Sequence, residues 1–248
     1  QRPRGRYIRA RRPRGRVHDL ALDATLRAAA ARGPQTRPLR LHKDDLREKV
    51  RITQQAYLVL FVVDGSWSMA VAQRMEAAKG AVLRLLTEAY QRRDWVAMIT
   101  FRRDDATVVL PPTRSVALAR HALADLPVGG KTPLAAGLQR TLEVIQRQRL
   151  AYPDVQPFVV LLTDGAGNVP LVPGHDPLDD AYRMAARLAQ QDIQGLVINL
   201  EHPQFDRGLA QTLAHYLGLP CYRLPHVETD ALVQAVRHGL GRPRGRTE

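Results

Sequence analysis

Two unbroken apolar runs constrain this chain more than any other feature. YLVLFVVD spans 57–64 and FVVLLTD spans 158–164. Each has strand length, and neither leaves a polar face for water. That is the pattern of a strand covered on both sides in a parallel sheet. GLVINL (195–200) reads as a third central strand, and WVAMITF (95–101) as a fourth. ATVVLP (106–111) follows after a short polar link, so those two strands are expected to form a hairpin. Helical spacing is expected over 17–32, 70–92, 115–125, 133–149, 177–192, 206–217 and 229–239, with short strands at 39–41 and 221–224. Alternating strands and helices imply an α/β fold. The expectation is a doubly wound, mostly parallel, Rossmann-like sheet with one antiparallel edge strand and helices on both faces.

Charge divides the chain. The net charge is +13, yet residues 1–16 hold eight arginines and no acid, and 237–248 hold four arginines and one acid. The body between them is nearly neutral. The pentapeptide RPRGR occurs at 2–6, 12–16 and 242–246. Its Pro and Gly are expected to keep 1–16 as a flexible basic arm and 241–248 as a basic tail. Residues 17–56 are expected to be a helical and connector extension packed on the body, and 57–240 the main domain. The arginines would suit an acidic partner or nucleic acid. Tyr7 is the arm's only aromatic residue and no base-reading module is recognisable, which argues against nucleic acid. No apolar run is long enough to span a bilayer. The single cysteine, Cys221, fits a reducing compartment such as the cytosol.

Ligands of doubly wound sheets bind beyond the carboxyl ends of the strands. Asp64 and Asp164 lie at those ends of the two most apolar runs. In DGSWS, Asp64, Ser66 and Ser68 alternate, so an extended turn can aim all three one way. A second loop, VGGKTPL, supplies Thr132, and a third, LLTDG, supplies Asp164, with Thr163 as a further candidate. Carboxylates and hydroxyls are hard oxygen donors that suit Mg²⁺ or Mn²⁺. Taken singly, each residue also reads as a turn or a helix cap. No GxSxG, HExxH or GxxxxGK[ST] pattern occurs, so the sequence offers no hydrolase elbow, zinc helix or ATP site of the P-loop kind.

The spaced set D-x-S-x-S (64–68), T in GGKTPL (132) and D in LLTDG (164) resembles the metal-ion-dependent adhesion site of von Willebrand factor A domains. RGRYIRAR (4–11), ALDATLRAAA (21–30), DLREKVR (45–51), MEAAKGAVLRLL (75–86), INLEH (198–202) and GLAQTLAHYLG (208–218) resemble the C-terminal region of the magnesium chelatase D subunit. The resemblance implies a non-catalytic interaction domain that binds Mg²⁺, or Mn²⁺, through Asp64, Ser66, Ser68, Thr132 and Asp164. A partner's carboxylate would complete the site. It further implies an AAA+ I-type subunit and a porphyrin-binding H-type subunit as partners, in ATP-dependent insertion of Mg²⁺ into protoporphyrin IX for (bacterio)chlorophyll synthesis. The compartment would be the bacterial cytosol or the chloroplast stroma. An A-domain partner of another AAA+ ATPase, such as a cobalt chelatase, is the alternative, with a nucleic-acid-binding protein acting through its arginine arms as the second. The family's usual DASGSM loop is DGSWSM here. Trp67 cannot ligate, and it is expected at the partner-facing rim together with Lys131 and Gly165.

Overall fold

The computed structural model describes residues 6–32, 40–52, 56–66, 80, 83, 84, 87, 89, 91, 92, 94–124, 129–202 and 204–223. The chain divides into two compact units between Gln55 and Ala56.

The larger unit is built on a six-stranded sheet. Its strands are β3 (Tyr57–Asp64), β4 (Trp95–Arg102), β5 (Asp105–Thr113), β6 (Gln156–Thr163), β7 (Gln194–Asn199) and β8 (Cys221–Arg223), in the order β5-β4-β3-β6-β7-β8. All neighbours pair in parallel except β4 with β5. The sheet is thus mixed and mostly parallel, with an antiparallel edge strand. All eight residues of β3 are buried. Tyr57, Val59, Phe61 and Val63 fill one core layer and Leu58, Leu60 and Val62 the other, which is why this run has no polar alternation. β5 tolerates Pro111 and Pro112 because one of its sides needs no ladder partner.

Helices α2 (Val116–Ala124), α3 (Leu134–Ala151), α4 (Pro177–Ala189) and α5 (Leu209–Leu217) connect the strands. The described residues from 80 to 92, which precede β4, are helical; the expected helix from 70 to 79 lies outside the described residues, as does that at 229–239. After β3 the chain runs outward to β4 and β5, then returns to place β6 on the other side of β3. That reversal is the topological switch point, and ligands are expected at its carboxyl end.

The smaller unit corrects the expected flexible arm at residues 6–11 only. Residues 6–11 form strand β1 (Arg6–Arg11), paired antiparallel with β2 (Glu48–Ile52). RYIRAR lies between the Pro/Gly positions of the repeats, so nothing in it opposes an extended ladder. Helix α1 is shorter than expected, Leu22–Ala30, because 19–21 run along β2: Lys49 N–H donates to Asp19 O and Ala21 N–H to Arg47 O, both at 2.8 Å. Arg40 and Leu41 lie in no strand, against the expectation for 39–41.

Candidate metal centre

The register between β3 and β6 sets their carboxyl ends side by side. Asp64 closes β3 and is only 1% exposed. Its Oδ1 accepts from the Ser66 N–H at 3.0 Å and the Ser66 hydroxyl at 2.6 Å. Its Oδ2 accepts from the Thr163 hydroxyl at 3.0 Å. The Thr132 hydroxyl, from a loop 66 positions away in sequence, donates to Ser66 Oγ at 2.8 Å. One chain of oxygen atoms therefore runs from Thr132 through Ser66 to Asp64 and on to Thr163.

The backbone fixes these loops. Gly65 N–H donates to Phe101 O at 2.9 Å and Gly129 N–H to Gly65 O at 2.6 Å. Gly129 and Gly130 have φ of 93° and 118°, a region side chains oppose, so the turn before Thr132 requires both. Pro133 is the N-cap of α3, and no side chain caps that helix. The Thr132 hydroxyl is spent on Ser66, not on a helix N–H, and this separates it from an ordinary capping threonine. Asn168 then clasps the same residue: Thr132 N–H donates to Asn168 Oδ1 at 2.7 Å, and Asn168 N–H donates to Thr132 O at 3.1 Å.

Burial pushes the Asp64 carboxyl up to about 6. The Ser66 and Thr163 hydrogen bonds oppose that rise, and the negative charge of Asp164 adds to it. Asp164 is half-buried, and its Oδ1 accepts the Ala166 N–H at 2.8 Å. Neither carboxylate has an ion pair among the described residues. A buried, partly desolvated carboxyl beside a second acid, ringed by hydroxyls, fits a hard divalent cation. Among the described residues no group of three or more His, Cys, Asp or Glu side chains could hold a metal, so hydroxyls would have to supply much of any coordination here.

The structure brings Asp64, Ser66, Thr132 and Asp164 to one place. Ser68 and Trp67 lie outside the described residues. Lys131 is exposed and pairs with Asp104 at 3.5 Å. Gly165 departs from its expected place at the rim: it is buried, and a Cβ there would stand 2.4 Å from the Ala210 N. It is a packing glycine under the start of α5. Asn168 was not legible, since nothing in the one-dimensional spacing links it to Thr132.

A family model for the von Willebrand factor type A domain matches residues 59–166, and one for the AAPxQ domain matches 4–51. The fold is similar to the von Willebrand domain of the type V pili tip protein Mfa5 from Porphyromonas gingivalis. That match has a TM-score of 0.60 at 12% identity and covers 79% of this chain and 99% of that one. It is also similar to the manganese-loaded TRAP protein of Plasmodium vivax, with a TM-score of 0.57 at 15% identity over 76% of this chain and 75% of that one. The chain belongs to the von Willebrand factor type A domain family.

Over most of its length it is also similar to magnesium-chelatase subunits. It is 38% identical over 252 residues to the magnesium-chelatase 67 kDa subunit of Heliobacterium mobile, covering 96% of this chain and 38% of that protein. It is 43% identical over 244 residues to an uncharacterized protein of Mycobacterium tuberculosis, covering 94% of this chain and 38% of that protein. An uncharacterized protein of Methanocaldococcus jannaschii is 34% identical over 166 residues, 66% of this chain and 94% of its own length. The chain thus spans under half the length of the chelatase subunits it matches.

Proposed function

We propose that this chain is a Mg²⁺-dependent interaction domain of a magnesium-chelatase D-type subunit. Asp64, Ser66, Ser68, Thr132 and Asp164 would hold the ion, and Mn²⁺ could replace it. The observation that carries the reading is the hydroxyl of Thr132 on Ser66, itself on Asp64, which links two loops distant in sequence into one oxygen-rich site. When bound, the ion would supply a Lewis-acidic position for a partner's carboxylate. The chain's own residues do the rest: Thr163 orients Asp64, Asn168 holds the Thr132 backbone, and Gly65 ties the first loop to the second. In this reading the domain joins an AAA+ I-type subunit to a porphyrin-binding H-type subunit, in the cytosol or stroma, during ATP-dependent insertion of Mg²⁺ into protoporphyrin IX. The inserted ion is substrate and need not be the one in this site.

The test is a pull-down of I-type and H-type subunits on the immobilised domain, with Mg²⁺ and with EDTA. Capture that survives EDTA, or that is unchanged in Asp64→Ala, would sink the reading. A second reading places the domain beside another AAA+ ATPase, such as a cobalt chelatase. Capture of a cobalt-chelatase ATPase in preference to the I-type subunit would decide for it.

A further inference from the structure

The smaller unit carries the charge. Residues 1–55 hold sixteen Lys and Arg against five Asp and Glu, which is +11 of the chain's +13. Four of its five acids are ion-paired within the unit. Asp19 takes Arg51 at 2.6 Å and Lys49 at 3.9 Å, Asp23 takes Arg27 at 3.0 Å, Asp45 takes Arg32 at 2.6 Å, and Glu48 takes Arg11 at 3.2 Å. Arg9, Arg12, Arg14 and Arg16 are exposed and enter none of these pairs.

The same strand that begins this arginine series has an open side. β2 is flanked on both edges, by β1 on one and by residues 19–21 on the other. β1 pairs only with β2 among the described residues, so its outer edge presents unpaired N–H and C=O groups. Arg9 and Arg11, two positions apart in the regular part of the ladder, lie on one face, opposite Val50 and Glu48.

We infer that the outer edge of β1 receives an extended acidic peptide as a third strand, its carboxylates meeting Arg9 on the strand and the exposed Arg12, Arg14 and Arg16 of the segment that follows it. Main-chain bonds along the edge supply affinity, and the alternate side chains supply selection. Carboxylates match the planar donor fork of arginine two bonds at a time, and opposite charges on facing strand positions attract. Tyr7 is the one aromatic ring of the strand and has the Lys49 ammonium over one face at 5.9 Å, so β1 offers no row of rings on which successive bases would stack. That favours a peptide over a nucleic acid.

The test uses the 248-residue chain in EDTA, which silences the metal site and keeps this proposal separate from the function above. The probe is a fluorescein-labelled nonapeptide of alternating Glu and Val, followed by anisotropy. It should bind, weaken by about tenfold or more between low and physiological salt, and lose about tenfold in affinity to an Arg9→Gln, Arg12→Gln, Arg14→Gln variant. A copy of the peptide N-methylated at alternate backbone positions should bind no better than the Lys-for-Glu control. If the triple variant melts early, Arg9→Gln and Arg12→Gln are read singly. Unchanged affinity in the arginine variants, equal binding of the N-methylated copy, or tighter binding of a single-stranded DNA of equal charge would overturn the proposal.

Discussion

Thr132 and Asn168 clasp each other through both backbone groups of Thr132: its N–H reaches Asn168 Oδ1 and its carbonyl receives the Asn168 N–H, at 2.7 and 3.1 Å. The second loop of the candidate site is therefore held by the third. Whatever moves the loop after β6 moves the hydroxyl that faces Ser66.

Asn168→Ala removes the side-chain half of that clasp and leaves the other half in place. One hydrogen bond is worth about 1 kcal/mol, so Mg²⁺ affinity should fall roughly fivefold. Titration calorimetry of Mg²⁺ into the variant checks this, with the melting temperature as control. An unchanged affinity would show that Thr132 is positioned by its own loop.

The folded value of the Asp64 carboxyl, about 6, lies above its ordinary 3.8. The folded protein then holds that proton more tightly than the unfolded chain does. Its contribution is full below about 4 and is lost as pH rises through about 6, by up to about 3 kcal/mol over two units. In EDTA, Asp64→Asn should match the wild type near pH 4 and melt higher than it at pH 7.5. Mg²⁺ should reverse the order at pH 7.5 by stabilising only the wild type. Paired melting curves at the two pH values, with and without Mg²⁺, decide it.

The strands and the three loops of the site were legible in sequence because each is local. A run such as 57–64 has no polar face, and DGSWS, GGKTPL and LLTDG each announce a turn. What escaped was non-local. The Thr132–Asn168 clasp joins residues 36 positions apart. β1 is invisible in RYIRAR until Glu48–Ile52 pairs with it, and the charges that look solvated are partly ion-paired across that ladder. Gly165 was expected at the rim because it follows Asp164 in the third loop. That it is buried depends on α5, whose start comes over forty residues later.

Trp67 sits in sequence between two proposed ligand serines. As a rim contact it should act on the partner and not on the ion. Trp67→Gly is expected to leave Mg²⁺ affinity within a few-fold and to weaken the partner by roughly thirtyfold, the usual worth of an aromatic anchor. A clear fall in melting temperature with unchanged partner affinity would place it in the core instead.

Gly165 gives the sharpest separation between packing and binding. Its φ is 81°, which costs any L side chain, and an added Cβ would meet Ala210 N at 2.4 Å, Leu209 C at 2.6 Å and Ala210 Cα at 2.9 Å. All three are backbone atoms, so no rotamer change relieves the contact; β6 and α5 must separate. Gly165→Ala should therefore cost several kcal/mol, in the range of an overpacked core, and lower the melting temperature by ten degrees or so. The same loss should appear in EDTA and in Mg²⁺, since the clash is with the backbone at the start of α5, which supplies none of the proposed ligands. A variant that melts like the wild type yet fails to capture a partner would return Gly165 to the rim and show that α5 can move aside.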